Sequence, residues 1–365
     1  MNNQNNKLRI LVIGEAYTNN LGDNFIQLGV MHLIRMRWAK SIIEGAPFSK
    51  RLKPAQTFQP RKNSKLKLLI RRNFALLYLN VALVHWVFQF GLGQALRNIK
   101  WRPDVVLITG GPMFDGYIFH TTAFVFWSTL FGGMFKLPVA VFGVANASGV
   151  SRTHNRLLAI GLKFVKTLTL RTDASLKRHQ ATIGTKARVA PCPAFLTSEV
   201  FPYQMAKQNL AIVAPSSYKQ YLFNMSFENG AVLSENEYID FYVDRCIVLH
   251  KQNLGLLFTC SVSSQDLDIT QKIANKLKLS ANLNVPIFIP DNCETLSALL
   301  AGSSLVVSGR LHVLIPAFSY GCHCEAFPYA AKLREFMDEV VNSGVDLATL
   351  KRQLVDGFNA TAAAL

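Results

Sequence analysis

Arg310 and His312 stand in a 365-residue chain at a place where chemistry can be done, within Ser308-Gly309-Arg310-Leu311-His312-Val313. The apolar run before them reads as a buried strand ending near Ser308, and the residues after them open a helix. An arginine and a histidine two positions apart at such a turn face a helix N-terminus, whose backbone amides attract anions. The arginine offers a planar fork to a carboxylate or phosphate. The histidine donates or accepts a proton near neutral pH. The alternative is a structural Arg–Asp pair with a capping histidine; the position directly after a strand favours the functional reading.

Other turns carry weaker signals. Asn19, Asn20, Gly22 and Asp23 follow the first strand. Gly22 permits an unusual backbone conformation or a close approach, and Asp23 reads either as the N-cap of the next helix or as a ligand for a sugar hydroxyl. Gly110-Gly111 lets backbone amides approach a ligand. Arg171 follows another strand and reads as a second anion clamp, or as a surface partner of Asp173. Cys322-His323-Cys324 is spaced too tightly for a usual zinc pair, and no metal site is expected. There is no GxGxxG, P-loop, nucleophile elbow or kinase signature, which disfavours a nicotinamide dinucleotide in particular.

The elements that must hold these residues alternate. A strand over Leu8–Ile13 runs through Gly14 into a polar loop and a helix from about Phe25 to Ala39. Further strands are expected at Val105–Ile108, Val139–Gly143 and Thr167–Leu170, with an apolar helix over about Thr121–Lys136. Asp173 or Ser175 is the expected cap of the helix after the third of these strands. Prolines and polar residues interrupt the pattern over Pro191–Asn209. A second series follows, with strands at Leu210–Pro215, Gly255–Cys260, Val285–Ile289 and Ser304–Ser308. The alternation predicts an α/β protein of two Rossmann-like lobes, residues 1–200 and 201–365, with a cleft between them and a C-terminal helix on the second.

Composition narrows the partners. Lys and Arg number 39 against 22 Asp and Glu, a formal net charge of +17, which calls for an anionic partner. Half the residues are hydrophobic and 17% charged, enough for large cores and against global disorder. Between Glu44 and Asp104 there is no acidic residue and there are 12 basic ones, Lys62, Lys65, Lys67, Arg71 and Arg72 among them. Asn73–Leu96, directly after them, carries no Lys, Arg, Asp or Glu. That stretch is long enough to span a bilayer, but Asn80, His85, Gln89 and Gln94 would be costly there. An insertion over about residues 45–103 lying on an anionic leaflet is one reading; core helices with a solvated basic loop are the other. The uncompensated cations and the mean hydropathy of +0.19 favour the membrane surface. A nucleic-acid partner is disfavoured, since the basic run belongs to no recognised module. Six cysteines without a CxxC, and a polar start lacking the h-region of a signal peptide, fit free thiols in a reducing cytoplasm.

Taken in order, these segments resemble the polysaccharide pyruvyl transferase family. The resemblance rests on Asn20-Leu21-Gly22-Asp23 (an N-x-G-D pattern), Asp104–Gly111, Leu170-Arg171-Thr172-Asp173-Ala174-Ser175 with Gly184, Arg310-Leu311-His312, and Tyr329 with Lys332 in a Y-x-x-K setting. The family implies two Rossmann-like lobes in a GT-B-like arrangement. It implies transfer of a pyruvyl group from phosphoenolpyruvate to a sugar as a ketal, with no cofactor beyond that donor. By resemblance, Arg310 and His312 are the catalytic pair, His312 being a candidate proton donor. Arg310, Leu311, Arg171, Gly110 and Gly111 would bind the donor, and Asn20, Asp23, Tyr329 and Lys332 the acceptor.

Some positions depart from the family pattern. Gly110-Gly111-Pro112 replaces three glycines, Cys192-Pro193-Ala194 replaces D-P-A, and Thr259-Cys260-Ser261 stands where many members have a histidine. The expected activity is therefore pyruvyl transfer to a cell-surface polysaccharide or its lipid-linked precursor, on the cytoplasmic side and peripheral to the membrane. A GT-B glycosyltransferase with a nucleotide-sugar donor and a non-catalytic membrane-associated assembly protein are the alternatives.

Overall fold

Runs of Val, Ile and Leu without polar interruption are what a parallel strand buried on both faces requires, and they mark the sheet centres here. The computed structural model describes residues 7–14, 20–47, 103–111, 113–114, 125, 129, 133, 136–146, 152–225, 231–327 and 330–365. The chain forms two compact units. The first comprises Met1–Thr18, Leu33–Cys192 and Gln353–Leu365, and the second Asn19–His32 and Pro193–Arg352. Residues 19–32 thus group with the second unit and residues 353–365 with the first, a division other than a single cut after residue 200. Most of the segment at about 45–103 lies outside the described residues.

The first unit is built on a six-stranded parallel sheet in the order β2-β1-β3-β4-β5-β6. The strands are β1 (Arg9–Gly14), β2 (Ile42–Pro47), β3 (Val105–Thr109), β4 (Val139–Val144), β5 (Thr167–Leu170) and β6 (Arg188–Val189). All of β3 and β4 is buried. Ile13, Val106, Ile108, Val141 and Leu170 form one core with Phe114 and Leu158. Among the helices of this unit are α2 (Arg152–Gly161) and α3 (Asp173–Thr182). Thr172, not Asp173 or Ser175, caps α3: its hydroxyl accepts from the Ser175 amide at 3.0 Å.

The second unit carries a five-stranded parallel sheet in the order β11-β10-β7-β8-β9. Its strands are β7 (Gln208–Ala214), β8 (Gly255–Thr259), β9 (Ile287–Phe288), β10 (Ser303–Ser308) and β11 (His323–Ala326). Its helices include α4 (Tyr218–Met225), α5 (Glu235–Lys251), α6 (Ser263–Ala281), α7 (Cys293–Gly302) and α8 (Leu311–Ser319). The long helix α1 (Leu21–Arg37) begins in this unit, and the C-terminal helix α9 is Leu347–Ala364. Three tyrosines, Tyr221, Tyr238 and Tyr242, are fully buried and pack with Phe327. Helix α5 starts with a complete capping box, Ser234 and Glu237 exchanging bonds with each other's backbone amides. All six cysteines are free and buried. Among the described residues, no helix is long and apolar enough to cross a membrane.

Candidate active site

In a parallel sheet the strand C-termini and the helix N-termini that follow them gather on one edge, where ligands bind. In the second unit β7, β8 and β10 are neighbours, so the turns after them share that edge. Ser308 organises the turn after β10. Its hydroxyl donates to the Ala214 carbonyl at 2.9 Å and accepts from the Arg310 amide at 2.8 Å. Gly309 is required by space: a Cβ there would lie 2.9 Å from the Tyr242 hydroxyl oxygen and 3.0 Å from Ser216 Oγ. Arg310 is the N-cap of α8, in extended conformation, and Leu311 is buried as its first residue.

His312 has non-helical torsions (φ −86°, ψ 21°) inside α8, and Pro316 sits four residues on. Proline lacks the amide that would bond to the carbonyl four residues back, and its ring crowds that carbonyl. The proline therefore accounts for a kink centred on His312.

The guanidinium of Arg310 meets Asp266, the fourth residue of α6. Nε donates to Oδ2 at 3.1 Å, Nη2 donates to Oδ1, and Nη2 also reaches Gln265 Oε1 at 3.3 Å. Asp266 is fully buried and the Arg310 side chain is 16% exposed. The Ser217 amide, after β7, donates to Asp266 Oδ1 at 2.9 Å. Burial pushes the Asp266 carboxyl above its usual range, while Arg310 and the Ser217 amide pull it back down. The Arg–Asp pairing that the sequence left open is thus present. It joins the turns after β7, β8 and β10 and sets the plane of the fork.

The N-x-G-D segment lies in the same unit. Asn20 Oδ1 accepts from the Gly22 amide at 3.0 Å, and Asn20 Nδ2 donates to Asp23 Oδ2 at 2.6 Å. Helix α1 begins at Leu21, four residues before the expected Phe25, so Asp23 lies within the first turn and is not its cap. Gly22 serves close approach: a Cβ on it would stand 2.7 Å from His312 Cβ. The segment is pinned on both sides of Leu21, whose amide donates to the Ser261 carbonyl at 3.1 Å and whose carbonyl accepts from the Cys293 thiol at 3.4 Å. Asn20, Gly22, Asp23, Arg310, Leu311 and His312 therefore belong to one unit, Gly22 touching His312 directly.

Arg171, Gly110 and Gly111 belong to the first unit. Arg171 is buried instead of lying on the helix surface, and its amide donates to the Val144 carbonyl at 3.0 Å. Gly110 has φ +142°, which glycine adopts without strain. The Gly111 carbonyl accepts from the Ala145 amide at 3.1 Å. Arg178, which the sequence did not single out, donates from Nε to the Asn146 carbonyl at 3.0 Å. Of the remaining acceptor candidates, Lys332 is exposed in the short helix Ala331–Phe336. Tyr329 lies outside the described residues. Cys322-His323-Cys324 opens edge strand β11, with both cysteines buried.

Residues that sequence reasoning missed are Asp266, Gln265, Ser216 and Ser217. Their only sequence signal is place: Ser216 and Ser217 follow β7, and Gln265 and Asp266 lie in the first turn of the helix after β8. Together with Arg310, His312 and the amides opening α8, they make a turn-built site with one paired guanidinium, one imidazole and a helix N-terminus, suited to an anionic substrate that exchanges a proton.

The sequence from residue 20 to residue 330 matches the polysaccharide pyruvyl transferase family. The chain belongs to that family. The span begins at Asn20 and includes Arg310, Leu311 and His312. Among curated proteins no sequence matches this polysaccharide pyruvyl transferase family member. Among solved structures, the UDP-GlcNAc 2-epimerase from Methanocaldococcus jannaschii is similar with a TM-score of 0.53 at 12% identity, over 96% of this chain and 92% of its own. The S. aureus MnaA–UDP structure gives a TM-score of 0.50 at 10% identity, over 96% and 91%. At such identities the likeness concerns fold: α/β, GT-B-like, with two parallel sheets.

Proposed function

We propose that this chain transfers the pyruvyl group of phosphoenolpyruvate to two hydroxyls of a sugar in a cell-surface polysaccharide or its lipid-linked precursor. The observation that carries the reading is the meeting, in one unit, of two segments that mark the family. Gly22 of Asn20–Asp23 packs on His312 of Arg310-Leu311-His312.

Phosphoenolpyruvate brings a carboxylate and a phosphate, and Arg310 with the amides opening α8 suits either. Arg171 and the Gly110-Gly111 turn are further donor contacts. His312 delivers a proton to the methylene carbon, leaving an oxocarbenium-like centre at C2. A sugar hydroxyl forms a C–O bond to C2 and gives up its proton. Phosphate leaves with the electron pair of its C2–O bond. The second hydroxyl then adds to C2, loses its proton and closes the ketal. Asn20, Asp23, Tyr329 and Lys332 hold the acceptor. The basic and apolar segment at about 45–103 keeps the enzyme at the inner face of the cytoplasmic membrane, beside a lipid-linked acceptor.

A nucleotide-sugar glycosyltransferase is the competing reading, because the helix N-terminus beside Arg310 suits a diphosphate as well. The deciding experiment measures phosphate released from phosphoenolpyruvate across a panel of lipid-linked sugar acceptors, with Arg310→Ala as control. Release that needs both acceptor and Arg310 supports pyruvyl transfer. Silence, with thermal stabilisation by a nucleotide sugar, moves the assignment to the glycosyltransferase. Silence on both counts leaves a non-catalytic role in polysaccharide assembly.

A further inference from the structure

We infer that Asp266 is a positioning residue that acts on the donor through Arg310, fixing the direction of the guanidinium. The inference rests on the donor role of Arg310 proposed above.

An arginine side chain has four rotatable bonds, so an arginine meant to meet an anion in one orientation must be held. Arg310 is held along one edge: Nε and Nη2 both donate to the Asp266 carboxylate, and Nη2 also donates to Gln265. Asp266 is itself fixed, fully buried in the first turn of α6 and accepting from the Ser217 amide. Ser217 lies next to Ser216, whose carbonyl accepts from Tyr238 at 2.7 Å and whose Oγ bounds the space at Gly309. The arginine thus inherits its position from the packed tyrosine layer through the carboxylate. A lysine has one ammonium and no planar edge, so it cannot take this two-point hold.

Charge gives the pair a second consequence. Asp266 offsets the positive charge of Arg310, so the pull on an anion depends on geometry more than on net charge. Replacing the carboxylate with an amide leaves the cation uncompensated but poorly aimed. Anion binding then holds or tightens while the chemical step slows. A residue that served only the fold would lower the folded fraction and leave the turnover of each folded molecule unchanged.

The test uses the full-length chain with Asp266→Asn, Arg310→Lys and the double variant. In Asp266→Asn, kcat should fall about tenfold or more while KM for phosphoenolpyruvate stays level or falls. In the Arg310→Lys background the same substitution should cost less than about twofold, because its target is gone. The Nε–Hε signal of Arg310 in a ¹⁵N spectrum, identified by its absence in Arg310→Lys, should lose its protection from exchange in Asp266→Asn. Should that variant fail to fold, Asp266→Glu carries the same test, keeping the charge but moving it by one methylene. An unmoved Nε–Hε signal, or fully additive losses, overturns the inference. If the wild-type chain releases no phosphate while the signal still changes, the positioning role stands and the donor reading falls.

Discussion

A methyl group on Gly22 would lie 2.7 Å from Cβ of His312 and 3.3 Å from its Cγ. Real Cβ atoms do not approach that closely, so Gly22→Ala must displace the histidine or the turn. With His312 in its proposed role of proton donor, a shift of a fraction of an ångström costs catalysis far more than it costs the fold. We expect kcat to fall about ten- to a hundredfold, with a stability loss of about 1–3 kcal/mol. Gly29→Ala is the contrast, since its Cβ would meet the backbone carbonyl of Pro193. That variant should unfold more easily, yet turn over normally per folded molecule. Thermal melts alongside phosphate release separate the two; equal losses of turnover in both would show that Gly22 does not serve His312.

Arg310→Ala should abolish phosphate release and also carry a stability cost that depends on pH. It strands a fully buried Asp266, a loss of about 3–5 kcal/mol when the carboxylate is ionised. Asp266 is already pushed above its usual range by burial, and Arg310 is the first of the contacts that pull it back, ahead of the Ser217 amide. Without Arg310 its folded-state pKa rises further. A carboxyl raised on folding contributes stability below its unfolded value and loses it as pH climbs through the folded value. The gap in stability between variant and wild type should therefore widen as pH rises and shrink on acidification as Asp266 takes up a proton. Urea titrations at several pH values measure this; a gap that does not change with pH would mean Asp266 is not the stranded group.

The same residues show what a sequence can reveal. β1, β3, β4, β5, β7, β8 and β10 announce themselves because central parallel strands are buried on both faces and read as unbroken apolar runs. The strands that escaped, β2 (Ile42–Pro47), β6 (Arg188–Val189) and β11 (His323–Ala326), are all edges. These three are short or partly polar, which removes the signal, whereas the remaining edge, β9, falls within the apolar run Val285–Ile289 and is legible. Arg310 and His312 were legible because they stand just past a buried strand. Asp266 was not, because an acidic residue in a helix's first turn usually signals only the helix dipole, and its partner lies 44 residues away. The cap on α3 was misread by a residue or more, since Thr172, Asp173 and Ser175 are all capping types and only the hydrogen bond selects Thr172.

Removing the charges of Lys62, Lys65, Lys67, Arg71 and Arg72 should weaken binding to vesicles containing anionic lipid. Each cation near such a surface contributes on the order of 1 kcal/mol, and the contribution falls with added salt. Co-sedimentation at low and high salt is the check. The wild type should lose binding as salt rises, and the five-fold variant should bind weakly throughout. Unchanged binding in the variant would return the segment to a solvated surface loop.

His179 should make the first unit sensitive to acid. It is fully buried in α3, with its ring stacked on Phe114 at 5.9 Å and its Nε2 2.8 Å from Thr185 Oγ1. Nδ1 is buried with no hydrogen-bond partner among the described residues. Protonation would thus place a second N–H where nothing described accepts it. Burial lowers the pKa of His179 below 6.5, although the Thr185 carbonyl opposes the shift, and burial lowers that of His154 as well. A histidine depressed on folding contributes stability above its unfolded pKa and loses it as pH falls through the folded value. Stability should therefore decline from about pH 6.5 downward. His179→Gln keeps a group able to reach Thr185 but cannot take up a proton, so it should flatten that decline and leave the residue of it to His154. Urea midpoints measured from neutral to mildly acidic pH decide the matter, and an equally steep decline in the variant would assign the acid sensitivity elsewhere.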